Sequence, residues 1–412
     1  VDLGCKQAGF FMRGLCRVDY RRPMAYHLSK ADYLEVSNMN GRNVFWSAIC
    51  IAILVTGIVS AETSKVEPLE IGAAAPDFSL PGVDGKNYQL VDFADAKILV
   101  VVFMANHCPT AQAYESRIMQ LVTDYKSKGV AVVAISPNDP LAIRLDEMGY
   151  TDIGDSFDEM KMRAAERKFN FPYLYDGQTQ AVSRAYGPMS TPHIFVFDKE
   201  RKLQYTGAVD NSEDPSKIKK SFVRDAIDAM LDGREITIKK MKTFGCTIKW
   251  ADKRNSAQKA LAEWSKEAVD VNMIDANGVR EIMKNNSGKL RLVNIWATWC
   301  GPCVIEMPEL VNINRMYRAR AFEMVTISAD TPSKKDDVIK FLKEKQVSCT
   351  NYQFNSEDKT ELGEALDKGW EGGIPYTVII KPGGEIIYRH AGGVEPLEVK
   401  KAIVGYLGRY YF

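Results

Sequence analysis

The sequence predicts an α/β fold built twice, as two successive domains that each carry a central mixed β-sheet flanked by helices. Three observations lead there. Lys97–Phe103 is a continuous apolar run, the mark of a strand buried on both faces, and Leu290–Trp296 is its counterpart in the second half. A cysteine follows each strand at the start of a helical stretch: Cys108 in the first half, Cys300 and Cys303 in the second. An X-Pro step, Thr191-Pro192 or Ile374-Pro375, then opens a hairpin and a closing helix. Right-handed parallel crossovers account for the first part of this repeat.

In chain order, a linker from Thr63 to Pro68 comes first and the Lys97–Phe103 strand follows. Ala105-Asn106-His107-Cys108-Pro109 leads into a helix to about Lys126, then a strand over Val130–Ser136. Residues 141–187 read as a longer, mainly helical insertion. Strands at His193–Phe197 and Leu203–Gly207 and a helix from about Lys217 to Leu231 close the unit. Trp250–Met283 has helical periodicity and is expected to join the halves and open the second domain. There Leu290–Trp296 is a strand, Cys300 starts a helix, Phe322–Ser328 is a strand and Asp336–Lys345 a helix. Tyr376–Ile380 and Glu385–Arg389 form the hairpin, and Pro396–Leu407 the final helix. Cys349 is expected on a strand, as a core thiol.

The chain's 412 residues suffice for two or three domains with their own cores. Hydrophobic residues make up 46%, which argues against general disorder. Lys and Arg total 54 against 53 acids, so charge gives no reason to expect a nucleic acid partner. The eight cysteines (Cys5, Cys16, Cys50, Cys108, Cys246, Cys300, Cys303 and Cys349) are too sparse for a disulfide scaffold. With one Cys-x-x-Cys motif and no His cluster, a metal site is not expected.

Val44–Ala61 is uncharged and rich in Ile, Val, Ala and Phe; Arg42 precedes it, and Val59-Ser60-Ala61 offers small residues for cleavage. Residues 39–61 therefore read as a signal peptide or signal anchor. Met39 stands where a signal would start, so residues 1–38 are expected to be a spurious extension or a short cytoplasmic tail. Either way the domains at 66–250 and 255–412 are expected outside the cytoplasm, in the periplasm or cell envelope, where dithiols need a dedicated reductant.

Asn294-Ile295-Trp296-Ala297-Thr298-Trp299-Cys300-Gly301-Pro302-Cys303 resembles the active site of thioredoxins. Met307-Pro308-Glu309-Leu310 and Gly373-Ile374-Pro375-Tyr376-Thr377 resemble the TlpA/ResA-like branch of that family. The physical reading agrees. Cys300 at a helix N-terminus meets free N–H groups that favour its thiolate, making it the exposed nucleophile; Cys303, one turn on, resolves the mixed disulfide. Ile374-Pro375 is expected to be a cis peptide against the dithiol whose backbone pairs with an extended substrate. Trp299, Gly301, Pro302 and Ile374 would line that substrate site. Thioredoxins keep an Asp six residues before the first cysteine; here Asn294 stands there and cannot take a proton. Glu306 lies three residues past Cys303 on the same helix face, and the resemblance implies that it moves the proton. Pro308 is expected to kink the helix.

Ala75-Pro76-Asp77-Phe78, Asn106-His107-Cys108-Pro109, Ala113-Tyr114-Glu115, Phe171–Asp176, Thr191-Pro192 and Gly245-Cys246-Thr247-Ile248-Lys249-Trp250 resemble AhpC/TSA-type redoxins of the Asn-His-Cys-Pro branch. Two thioredoxin-like domains are thus implied. Ala105 replaces that branch's first cysteine and Ser190 another before Thr-Pro, so Cys246 is left as the resolving partner of Cys108. A protonated His107 would favour the Cys108 thiolate, with Glu115 and Arg117 two turns along the same helix. Two unpaired buried thiols are the bland alternative. Thr191 and Pro192 are expected to bind substrate.

The leading reading is an exported thiol–disulfide oxidoreductase that exchanges electrons with protein disulfides through Cys300 and Cys303. It needs no metal or organic cofactor. Its partners would be protein dithiol or disulfide clients and a membrane or envelope electron donor. One alternative is a thiol peroxidase using Cys108 with the second domain as reductant. Peroxiredoxins place Thr and Pro where this chain has Ala105 and Val101, which weighs against it. Another is a redox-inactive, peptide-binding first domain.

Overall fold

The first sheet grows from the apolar run at Ile98–Phe103, every residue of which is buried. The computed structural model describes residues 66–411, so the expectations for residues 1–38 and 39–61 lie outside the described residues. In chain order the first half comprises β1 (Ser79–Pro81), β2 (Asn87–Gln89), β3 (Ile98–Phe103), α1 (Pro109–Tyr125), β4 (Val130–Ser136), α2 (Phe157–Arg167), β5 (Tyr173–Tyr175), α3 (Ala181–Tyr186), β6 (His193–Phe197), β7 (Leu203–Gly207) and α4 (Phe222–Leu231). The second comprises α5 (Arg254–Trp264), β8 (Asn272–Ile274), α6 (Ala276–Lys284), β9 (Leu290–Trp296), α7 (Gly301–Tyr317), β10 (Phe322–Ser328), α8 (Lys335–Glu344), β11 (Thr350–Phe354), α9 (Lys359–Leu366), β12 (Tyr376–Ile380), β13 (Ile386–Ala391) and α10 (Pro396–Leu407).

Two mixed sheets result, ordered β5-β4-β3-β6-β7 and β13-β12-β9-β10-β11-β8. In each, the strand before the cysteine is central, with a parallel neighbour on one side and an antiparallel one on the other. Apolar cores fill both faces of each sheet. Register sets the sites. Phe103 pairs with His193, and Ile295 with Tyr376, so each X-Pro step sits beside the chain leaving the central strand toward its cysteine. Both prolines, Pro192 and Pro375, follow cis peptides.

Several expectations change. The 141–187 insertion carries, besides its helices, a strand at Tyr173–Tyr175 that runs parallel to β4. The Trp250–Met283 stretch is broken by β8, which pairs with β11. The closing helix of the first half starts at Phe222 rather than near Lys217, because the Pro215 turn and an extended Ile218 precede it. Cys349 lies just before β11, not on it, and burial pushes its thiol up to about 12. Helix α7 continues through Pro308.

The two halves are docked. Leu145 and Met148 of the first pack against the core around α7. The Tyr317 hydroxyl donates to the Thr151 carbonyl at 2.6 Å, and Arg320 donates to that of Gly149. Arg409, beyond α10, grips both carboxylate oxygens of buried Asp152 at 2.6 and 2.7 Å.

Candidate redox sites

In the second half, Cys300 caps the N-terminus of α7 and joins Cys303 in a disulfide of 2.04 Å. The Cys303 amide donates to the Cys300 sulfur at 3.3 Å. Charge on that sulfur is therefore met by an amide at the positive end of a helix. The preceding loop is fixed by Asp330, which accepts from the Thr298 amide at 2.9 Å and its hydroxyl at 2.6 Å. Cys300 is not exposed as expected. It is only 5% accessible, because its disulfide folds against the core while Trp299, at 61%, projects outward. Ile305, one turn on, is 80% exposed, so the surface beside the dithiol is apolar. Ile374 is half-buried and Pro375 buried.

Glu306 is buried. One carboxylate oxygen accepts from the Asn294 amide at 2.9 Å, and the other from the Val394 backbone N–H at 2.9 Å. Asn294 also donates to the Thr377 hydroxyl at 3.0 Å. Desolvation raises the Glu306 pKa, and those two donors hold part of the rise back. A carboxyl held above its ordinary range, one turn from the resolving cysteine, is suited to proton exchange. Asn294 therefore orients this acid.

In the first half, Cys108 caps α1, and its sulfur is buried. It accepts from the Ala111 and Cys246 backbone N–H groups, both at 3.4 Å, and lies 3.1 Å from the Thr191 carbonyl oxygen. The tail carrying Cys246 has returned to the helix start. Cys246 pairs with Thr191 as an antiparallel bridge, so the cis-proline backbone expected to bind substrate holds the chain's own tail. Gly245 permits this: its φ is +131°, and a Cβ there would lie 2.0 Å from the Thr191 oxygen. Lys249 clamps the strap further, its amide donating to Asn138 at 2.8 Å and its carbonyl accepting from Asp139 and Gln180. Both thiols are unlinked. Burial alone would raise the Cys108 pKa. The Cys246 contact, the His107 charge, Thr191 and the Ala111 N–H outweigh it and hold the thiol below its ordinary value. The Cys246 pKa is raised, first by its contact with Cys108 and then by burial.

The sequence reading missed the carboxylate behind His107. Asp155, 48 residues away, accepts from the His107 backbone N–H at 3.0 Å and sits 2.7 Å from its Nδ1. Glu115 and Arg117 do not face the sulfur. Glu115 is bound by Arg163 and Arg167, and Arg117 by Asp210 and the carbonyls of Ser212 and Glu213.

A central strand delivering a cysteine to a helix N-terminus opposite a cis-proline, twice over, defines a thioredoxin-fold thiol protein. Residues 71–206 match the AhpC/TSA family and residues 258–403 the Redoxin family, so the chain carries two redoxin-family domains. The thiol-disulfide oxidoreductase ResA of a Bacillus cereus strain is 25% identical over 37% of this chain and 80% of its own length. The thiol:disulfide interchange protein HelX of Rhodobacter capsulatus is 29% identical over 36% and 78%. An uncharacterized conserved protein of Geobacillus kaustophilus, of solved structure, is 36% identical over 44% of this chain and 92% of its own, with a TM-score of 0.39.

Proposed function

We propose that this chain is a thiol–disulfide oxidoreductase that exchanges electrons with protein disulfides through Cys300 and Cys303, at an extracytoplasmic location. The observation that carries the reading is the Cys300–Cys303 disulfide at the N-terminus of α7, beside the exposed apolar side chains of Trp299 and Ile305. In the reducing direction the Cys300 thiolate attacks a client disulfide and one client sulfur leaves as a thiolate. Cys303 passes its proton to Glu306 and attacks the Cys300 sulfur. The Cys300–Cys303 disulfide forms, the second client thiol departs, and two electrons have moved to the client. Trp299, Gly301, Pro302 and Ile374 form the client-facing surface, with Pro375 buried behind it. The relatives named as oxidoreductases support the activity, and the apolar run at 44–61 supports export with a membrane or envelope donor. Disulfide reduction in an insulin assay tests it: Cys300→Ser should abolish turnover, and wild-type turnover by that variant would refute it.

A second reading concerns Cys108 and Cys246 as an internal redox couple, favoured by the Cys246 amide lying on the Cys108 sulfur. Mild oxidation should join them, and peptide mapping would find the cross-link. Peroxide turnover by Cys108, measured in the full chain against Cys108→Ser, separates a peroxidase from a dithiol relay. A peptide-holding first domain would first have to displace the Cys246 strap from Thr191.

A further inference from the structure

The most heavily built polar cluster outside the Cys300–Cys303 site stands behind Cys108. His107 is 1% exposed, and its Nδ1 lies 2.7 Å from Asp155 Oδ2. Asp155 is equally buried. Its second oxygen receives the His107 amide at 3.0 Å, and its Oδ2 also receives the Asn138 side-chain amide at 2.7 Å. Asn138 is held in turn by the Lys249 amide of the strap that carries Cys246. Asn106 and Thr151 brace the loop around Asp155: Asn106 donates to the Gly154 carbonyl at 2.8 Å, and the Thr151 hydroxyl accepts from the Ile153 amide. With Nδ1 given to Asp155, the free ring nitrogen is Nε2, which is buried and has no partner. A buried polar atom left unpaired, on the residue that precedes Cys108, is costly unless it has work to do.

We propose that His107 and Asp155 form a proton-holding dyad for Cys108. His107 keeps at Nε2 the proton that leaves the Cys108–Cys246 couple, and Asp155 fixes its tautomer and supports its charge. This rests on Cys108 and Cys246 acting as a redox couple, and it names the machinery of that site. A dithiol gives two electrons and two protons to the Cys108–Cys246 disulfide and becomes a disulfide itself. One proton goes to the Cys246 sulfur and the other to His107 Nε2, while Cys108 remains a thiolate. Re-oxidation returns both.

The charges facing the site agree with this. Burial works against a charged His107, and Asp155 and then the Cys108 thiolate outweigh it; Lys249 opposes them weakly. Lys249 is itself paired with Glu147 at 2.6 Å. Tyr173 faces Asp155, and Tyr411 of the C-terminal segment faces both sulfurs; burial raises the pKa of each phenol, which stays neutral. Asp155 is held below the usual carboxylate range although burial pushes it up, because His107 and Asn138 prevail. With Cys108 ionised, the pair is favoured as imidazolium and carboxylate.

The test uses the full chain, reduced with a phosphine. The ultraviolet absorbance of the Cys108 thiolate is read as the difference between the chain and its Cys108→Ser variant across pH. Asp155→Asn and His107→Gln should each raise the midpoint by about one pH unit or more, a tenfold loss of thiolate below it. Histidine nitrogen NMR on the unsubstituted protein gives a second readout that needs no tolerated variant. The His107 ring should carry two protons wherever Cys108 is ionised, and should lose one when oxidation joins Cys108 to Cys246. A ring with a single proton alongside an ionised Cys108, or midpoints unmoved in both folded variants, would overturn the dyad. Peptide mapping for the Cys108–Cys246 cross-link reads the couple separately, so a missing cross-link with a charged His107 would refute the couple and leave His107 as a thiolate partner.

Discussion

Glu306 has both carboxylate oxygens satisfied and yet sits where burial raises its pKa, which gives it a measurable signature. A carboxyl whose folded pKa exceeds its unfolded value binds more protons in the native state. Its contribution to stability is present below the ordinary carboxylate range and is lost as pH rises through the raised pKa. Thermal melts of wild type should therefore fall relative to Glu306→Gln as pH climbs from the ordinary carboxylate range toward neutrality; parallel curves would remove the titration from this residue. The same substitution should slow thiol exchange near neutral pH and alter its pH–rate profile, because Asn294 leaves no other acid in the motif. Glu306 was legible in the sequence because helix spacing ties it to Cys303. Asp155 was not. It sits in a loop without periodicity, 48 residues from the histidine it contacts, and only the folded chain brings the two together.

The elements that sequence reasoning placed best are strands: β4, β6, β9, β10 and β12, all interior, and the edge strand β7 match the runs from which they were read. Burial on both faces demands an unbroken apolar stretch, and that demand is visible in one dimension. The three-residue edge strands β5 and β8 carry no such stretch, so helical neighbours masked them. The strap at residues 245–250 was expected to return to Cys108 because Cys246 is that domain's other cysteine, but its seat on Thr191 depends on tertiary contacts that no local pattern shows. Gly245 is its hinge. Gly245→Ala puts a side chain into a backbone conformation that disfavours it and against the Thr191 oxygen, at a cost of about 1–3 kcal/mol. Denaturant unfolding should show that loss, and oxidation should no longer join Cys108 to Cys246 at the wild-type rate. Unchanged values in both would mean that the strap does not depend on this glycine.

At the scale of the whole molecule, the two redoxin domains are joined by contacts that concentrate on one segment of the first, residues 145–152. Asp152 is buried and its charge is met by Arg409. Removing the arginine leaves that carboxylate without its partner, so Arg409→Ala should cost about 2 kcal/mol, in the range for hydrogen bonds to charged groups. Calorimetry should then resolve the two halves as separate transitions where wild type shows one. A single transition at the wild-type temperature would show that the apolar contact of Leu145 and Met148 and the Tyr317 and Arg320 hydrogen bonds suffice without it.

In the proposed exchange, Cys300 attacks client disulfides and Cys303 releases them. Mixed-disulfide trapping tests it most directly. Full-length Cys303→Ser, reduced and mixed with a disulfide-bonded client, should accumulate an adduct that mass spectrometry maps to Cys300. Cys300→Ser should form none and should have no turnover. An adduct mapped to another cysteine, or equal turnover by wild type and both variants, would contradict the account.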